Sequence, residues 1–265
     1  MNYIDQHMHS YFSFDSQAQF EDYLKLSDNQ IVTTEHIDLE DPTTGFIDRP
    51  LNLKKYLRTI DELNVQYKNR LLKGLEVGWS RRTHERLIDI LKSHDFDLLI
   101  LSIHTNGIYD YMNRKAKLER DPAILVPQYL DNLYEGVLAM HEHINVLAHF
   151  DYGFRVVDVS VDELLRYGEE KLRNLFDLLI EKDVSFEINM GSILAHNNLE
   201  LYKTAIDLYL QQGGNLITLG SDAHFVKDYQ RGFVEACQYL DSLNVKFLTY
   251  YIKQQAQQVR IKELV

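Results

Sequence analysis

The chain is poor in the residues that mark disulfide-rich or loop-rich proteins. Its 265 residues include one cysteine, Cys237, so a single chain cannot form a disulfide framework or a thiolate metal site. It has only 4 prolines and 12 glycines, below the averages of about 5% and 7%, and no linker rich in these residues interrupts it. The sequence therefore predicts one domain over residues 1–265, with 45% apolar residues to build its core.

Membrane and export signals are also missing from the pattern. No apolar run approaches the roughly 18 residues of a membrane-spanning helix. The first predicted strand begins at residue 2, which leaves no room for a signal peptide. We therefore expect a cytoplasmic protein.

Basic residues are in deficit. The chain has 28 Lys and Arg against 40 Asp and Glu, a formal net charge of −12. This balance argues against nucleic acid or an anionic membrane as the main partner. A cluster of divalent cations needs carboxylates, and three such ions would add about six positive charges, so a small anionic substrate stays compatible. The oligomeric state is left open, a homo-oligomer included.

Runs rich in Ile, Val and Leu alternate with amphipathic stretches along the chain. Strands are predicted near 2–7, 31–35, 71–77, 97–103, 144–149, 184–189 and 216–222. Helices are predicted near 18–27, 53–69, 83–93, 125–143, 162–182, 198–212 and 228–241, the clearest of them with apolar residues at spacings of three and four. This alternation predicts an α/β fold with a parallel sheet. Polar residues end every strand, which favours a distorted, TIM-like seven-stranded (β/α) barrel over an open sheet.

Histidines cluster at these strand ends. His7 and His9 lie two residues apart, so on a strand both imidazoles point to the same face. Asp222 and His224 repeat this spacing at the end of the last strand. A lone histidine is more often structural than a ligand, but six of the eleven histidines fall at strand ends. Imidazole and carboxylate ligands together suit zinc, iron or manganese, so the pattern predicts a metal enzyme.

Seven ordered motifs carry a family resemblance. They are Asp5-x-His7-x-His9, Thr33-Thr34-Glu35-His36, Gly74-Leu75-Glu76-Val77-Gly78, Ser102-Ile103-His104, Ala148-His149-Phe150-Asp151, Glu187-Ile188-Asn189 and Ser221-Asp222-Ala223-His224. Together they resemble the polymerase and histidinol phosphatase (PHP) superfamily, most closely its monofunctional histidinol-phosphate phosphatases. The match extends from residue 3 to residue 224.

The resemblance implies a trinuclear centre. The first ion would take His7, His9, Glu76 and Asp222; the second would share Glu76 and add His104 and His149; the third would take Asp15, His36 and His224. Asp15 is the least certain ligand, since it could instead cap the following helix. Asp5 is expected to orient a ligand histidine from behind. Glu35 could do the same or be a structural hydrogen-bond partner.

The resemblance also implies hydrolysis of L-histidinol phosphate, a step of histidine biosynthesis, with a metal-bridging hydroxide as nucleophile. Arg155 is expected to bind the phosphate. Asn189 could face the ligand or belong to a buried network. The leaving alkoxide could take its proton from a metal-bound water, Asp151 or an outer histidine. Weaker candidates for phosphate binding are Arg81, Arg82, Arg114, Lys115 and Lys227.

Other interpretations use the same residues. The same metals could act on a different phosphate monoester or on a phosphodiester. A catalytically silent binding domain would be expected to have lost ligands, whereas every ligand position here holds a competent residue. A mononuclear amidohydrolase would normally use a lysine as the bridging ligand, where this chain has Glu76.

Overall fold

The computed structural model describes residues 1–49, 51–113 and 121–265, so Arg114 and Lys115 lie outside the described residues. The strands are β1 (Ile31–Asp41), β2 (Ile47–Arg49), β3 (Leu71–Gly78), β4 (Leu98–Ser102), β5 (Val146–Leu147), β6 (Ser185–Asn189), β7 (Ile217–Gly220), β8 (Phe247–Ile252) and β9 (Gln255–Arg260). The helices are α1 (Phe20–Leu26), α2 (Leu53–Tyr67), α3 (His84–Lys92), α4 (Pro122–Met140), α5 (Val161–Glu181), α6 (Met190–Ala195), α7 (Leu199–Gln211) and α8 (Phe233–Ser242). Among these helices, none is long and apolar enough to cross a membrane.

Seven strands form one sheet in the order β2-β1-β3-β4-β5-β6-β7. Apart from β2, the strands of this sheet all run parallel to one another. β2 pairs antiparallel with the extended end of β1. The predicted parallel α/β sheet is therefore confirmed. In register, His36 lies beside Glu76, so polar side chains near the ends of β1 and β3 are neighbours.

The expected strand at 2–7 is wrong in detail. Within the described part of the chain, residues 2–7 belong to no strand, and Met8, just beyond them, makes an isolated parallel bridge to Ala223. The physical reason is the buried Asp5 carboxylate, which accepts the backbone N–H groups of His7 and Ser221 at 3.2 and 3.0 Å, in place of backbone carbonyls. The segment still bonds to both sides of the sheet: Thr34 N donates to the Met8 carbonyl at 2.8 Å, and Gln6 N donates to the Leu219 carbonyl at 3.1 Å.

One face of the sheet changes character along its strands. Near the amino ends it carries a small apolar cluster made of Ile4, Val32, Leu72, Leu98, Ile100, Val146, Ala148 and Tyr251. Because alternate residues of a strand share a face, the series Leu72, Gly74, Glu76 moves from this cluster to polar residues. The other face packs on the helices in a much larger apolar core.

The hairpin of β8 and β9 lies against the amino end of the sheet. Tyr251 belongs to the small apolar cluster, and its hydroxyl lies 2.8 Å from the Ser185 Oγ atom. Its backbone N–H donates to Oε1 of Gln6 at 2.9 Å. These contacts cover the end opposite the polar strand termini.

Candidate metal centre

Glu76 is the centre of the polar end of the sheet. It lies on β3 and is 0% exposed. Five imidazole nitrogens surround its carboxylate at 2.8–3.4 Å, from His7 (3.3 Å), His9 (3.4 Å), His36 (3.0 Å), His104 (3.0 Å) and His149 (2.8 Å). The Ser102 hydroxyl donates to Oε1 at 2.5 Å. One carboxylate therefore faces five of the expected ligands.

Asp222 and Asp15 extend this cluster towards the surface. Oδ1 of Asp222 lies 3.5 Å from Nε2 of His7 and 3.4 Å from Nε2 of His9. Oδ2 of Asp15 lies 3.2 Å from Nε2 of His224 and 3.5 Å from Nε2 of His36. The alternative role of Asp15 as a helix cap is not what the structure shows, because the residue before α1 is Gln19.

Several buried imidazole nitrogens in this cluster lack a hydrogen bond among the described residues. They are Nε2 of His9, both ring nitrogens of His36 and Nδ1 of His149. Nε2 of His9 and the two nitrogens of His36 lie 3.0–3.5 Å from carboxylate oxygens, but without hydrogen-bond geometry. Buried nitrogens that face carboxylates without hydrogen bonds are the arrangement expected where a cation binds. Four groups have donor atoms within 4.8 Å of one another: His9, His36 and His224; His7, His9 and Glu76; His7, His149 and Asp222; and His36, Glu76 and His104. The donor set fits several divalent ions.

The electrostatics of two members of the cluster, Glu76 and His9, match this fit. Burial alone would raise the pKa of the Glu76 carboxyl, but the charges of the surrounding histidines, with His36 first, hold that pKa well below its ordinary value. Burial, with the neighbouring His224 and His36, lowers the pKa of His9 to about 3. Glu76 is therefore an anion and His9 a neutral imidazole with a free lone pair, the forms that bind metals.

Partners behind the ligands orient their rings. Nδ1 of His7 bonds to Oε1 of Glu187 at 2.7 Å, and Nδ1 of His104 bonds to Oδ1 of Asp38 at 2.8 Å. Such contacts fix which ring nitrogen faces a metal. Sequence reasoning missed Asp38 because the strand predicted at 31–35 ends three residues before it. His36 and Asp38 share the two-residue spacing of His7 and His9, which was an available signal.

The two supporting acids act less directly than expected. Asp5 bonds to backbone amides, as described above, and positions the segment that carries His7. The Glu35 carboxylate accepts the hydroxyls of Ser10 and Ser13, each at 2.6 Å. Oγ of Ser13 in turn lies 3.2 Å from Nδ1 of His9. The structural alternative for Glu35 fits these contacts, since it reaches the imidazole only through Ser13.

A cavity of about 300 Å³ opens above the cluster. Seven of the nine expected ligands line it: Asp15, His36, Glu76, His104, His149, Asp222 and His224. Arg155 lines the same cavity, and its side chain is only 8% exposed. Its Nε donates to Oγ of Ser192 at 2.8 Å, and one terminal nitrogen donates to Asp222 at 3.4 Å. Arg81 and Arg82 instead form exposed ion pairs.

Asn189 and Asp151 both belong to buried hydrogen-bond networks. Asn189 is fully buried and bonds to Glu187, Asp222 and the backbone of Ser192, contacts that fit the buried-network alternative. Asp151 is also fully buried and does not line the cavity. Its carboxylate accepts from three side chains, those of Ser192, Asn198 and Tyr202. This saturated carboxylate is badly placed to protonate a leaving group. Sequence reasoning missed these three partners, which belong to no motif.

Comparison with known proteins defines the class. The model of the PHP domain matches residues 5–191, which is more than half of the chain. The chain therefore belongs to the PHP domain family. A probable histidinol-phosphatase of Clostridium acetobutylicum is 28% identical over 257 residues, covering 92% of this chain and 94% of the relative. Another, of Thermotoga maritima, is 26% identical over 251 residues, with 92% and 94% covered.

A solved structure shares the fold. It is the crystal structure of histidinol phosphate phosphatase from Lactococcus lactis subsp. lactis, complexed with zinc, L-histidinol and phosphate. It covers 97% of this chain and 99% of its own at a TM-score of 0.84 and 24% identity. The likeness extends over the whole architecture.

Proposed function

We propose that this protein is a metal-dependent phosphatase that hydrolyses L-histidinol phosphate to L-histidinol and inorganic phosphate. The observation that carries the proposal is the ring of imidazoles around the buried Glu76, with Arg155 on the wall of the same cavity. The histidinol-phosphatase names of relatives that match over nearly their whole length support the substrate. So does the solved structure of similar fold, which contains L-histidinol and phosphate.

The proposed cofactor is a set of three divalent ions, of zinc, iron or manganese. His7, His9, Asp15, His36, Glu76, His104, His149, Asp222 and His224 would hold them. When bound, such ions lower the pKa of coordinated water and neutralise charge on phosphoryl oxygens. We also propose that residues 6–9 close the sheet into a distorted barrel, because they bond to both β1 and the end of β7.

The side chains of the protein then have distinct tasks. Arg155 presents terminal N–H groups to the phosphate, and its planar fork suits the oxygens of a monoester. Glu187 and Asp38 hold the rings of His7 and His104 in one orientation. Because the Asp151 carboxylate accepts from Ser192, Asn198 and Tyr202, the proton for the leaving alkoxide would come from water at the cluster or from an outer histidine.

The proposal describes a cytoplasmic enzyme with a small-molecule substrate. The net charge of −12 disfavours nucleic acid and anionic membranes as partners. Hydrolysis of L-histidinol phosphate would make the protein an enzyme of histidine biosynthesis.

The test is phosphate release by the purified protein loaded separately with zinc, manganese or iron(II). The panel holds L-histidinol phosphate, other phosphate monoesters and a phosphodiester, and metal content is determined on each sample. Selective hydrolysis of L-histidinol phosphate at near three ions per chain is expected. Activity on other esters but not on this one would keep the metal chemistry and refute the substrate.

A further inference from the structure

Arg155 is held from behind by a short chain of buried groups. Its Nε–H donates to Oγ of Ser192 at 2.8 Å, and that hydroxyl donates to Oδ1 of Asp151, also at 2.8 Å. Ser192 and Asp151 are both 0% exposed, and neither lines the cavity. Arg155 and Asp151 lie in the turn after β5, and Ser192 lies in α6, which follows β6. These hydrogen bonds therefore link the ends of two adjacent strands.

The direction of each hydrogen bond in this chain is determined by chemistry. An arginine Nε–H can only donate, and an ionised carboxylate can only accept. The Ser192 hydroxyl has one proton, so it accepts from Arg155 and donates to Asp151. Asn198 donates to Oδ2 of Asp151 at 2.6 Å, which fixes the carboxylate itself. The guanidinium is therefore held at one edge in a single orientation.

Two further contacts define how Arg155 faces the cavity. A terminal nitrogen lies 3.4 Å from Oδ2 of Asp222, and the guanidinium carbon lies 5.0 Å from the centre of the Tyr152 ring. With Nε bonded to Ser192, the remaining terminal N–H groups are those available to an anion. Loss of the Ser192 hydroxyl would leave Nε–H buried without this acceptor and free the guanidinium to rotate.

We propose that Ser192, oriented by Asp151, is a positioning residue that sets the affinity of the cavity for phosphate through Arg155. This inference rests on the proposed function in one respect, that Arg155 binds the phosphate. It does not depend on which phosphate ester is the substrate.

The first test measures binding of inorganic phosphate to the metal-replete protein by calorimetry. Ser192→Ala should weaken binding about tenfold, the effect of one hydrogen bond to a charged group. In the Arg155→Ala background the same substitution should change affinity less than about twofold, because the group it positions is gone. Equal effects in both backgrounds would overturn the inference.

Tyr202→Phe is the matched control. The Tyr202 hydroxyl is equally buried and donates to the same Oδ1 of Asp151 at 2.8 Å, but it is not the acceptor for Arg155. Phosphate affinity should stay within about twofold, and melting temperatures establish that both variants are folded. If Tyr202→Phe weakens phosphate binding as much as Ser192→Ala, the effect is general disorder of the pocket and the inference fails.

Kinetics give a second readout on whichever ester the enzyme hydrolyses. Ser192→Ala should raise KM about tenfold with kcat within about threefold and metal content unchanged. A fall in kcat at constant KM would contradict the positioning role. If Arg155→Ala itself leaves phosphate affinity unchanged, the phosphate role of Arg155 in the proposed function fails first; if only Ser192→Ala is silent, the further inference alone fails.

Discussion

Replacement of Glu76 tests whether one carboxylate serves more than one ion. In Glu76→Ala, two of the three proposed ions lose a shared ligand. Loss of a mere supporting partner of a ligand costs about 10–100-fold in metal affinity or activity. If each of two ions loses a direct ligand, their combined binding affinity should fall by about 100–10,000-fold. We therefore expect metal content to fall from near three towards one ion per chain, with hydrolysis lost in parallel.

The metal-free Glu76→Ala variant should also be less stable than the metal-free parent protein. Burial would lower the pKa of His104, but the nearby Asp38 and Glu76 charges raise it to about 10, so its imidazole is protonated at neutral pH. Removal of Glu76 leaves this buried charge with one partner fewer, at a cost of about 3–5 kcal/mol. Chemical denaturation of the metal-free variant measures that loss.

The assay combines elemental analysis of dialysed protein with phosphate release. Glu35→Gln is the matched control, because Glu35 is a fully buried carboxylate on the neighbouring strand that bonds to serines. It should retain its metals even if it loses some stability. Three ions per chain in Glu76→Ala would refute the bridging role, and metal loss in Glu35→Gln to the same extent would show that the effect is not specific to Glu76.

Three further predictions concern other parts of the molecule. Arg155→Lys should keep its metals but raise KM about 10–100-fold, because lysine has neither the planar fork nor an Nε–H for Ser192; an unchanged KM would remove Arg155 from the phosphate site. Gly220→Ala should weaken metal binding about 10–100-fold in a titration, since its Cβ would lie 2.1 Å from Oε1 of Glu187 and push that carboxylate off His7; full affinity would contradict this. Burial raises the pKa of the Cys237 thiol to about 11, so about 0.1% is thiolate at pH 8 and a disulfide reagent should label it only after unfolding; rapid labelling of native protein would refute this.

The parallel strands were predictable because their apolar runs are short and end in polar residues. The expected helices also lie within a few residues of the observed ones, as at α2 and α7. The β8 and β9 hairpin escaped prediction for a physical reason. Its turn places Lys253 and Gln254 at positive φ angles of 51° and 58°, a conformation that sequence reasoning expects for Asn or Gly.

The residues of the candidate site also include some that were predictable from the sequence and some that were not. Ligand residues such as His7 and His9 were predictable because the spacing on a strand determines which side chains share a face. Ser192 was not, since its role depends on a side chain 37 positions away in the sequence, Arg155. Asp38 falls between these cases, because β1 continues past residue 35 and pairs there with both β3 and β2, which the apolar run of the sequence does not reveal.

One face of the sheet is apolar near the amino ends of its strands and polar near their carboxyl ends. The same strands therefore provide packing at one level and metal-binding side chains at another. On β3, Leu72 packs in the apolar layer and Glu76 faces the histidines, four residues and roughly 13 Å apart along the chain. Substitutions that tune reactivity at one level therefore need not disturb the packing at the other. The polar layer is therefore a practical target for engineering new metal specificity, because the apolar layer and the hairpin of β8 and β9 can remain unchanged.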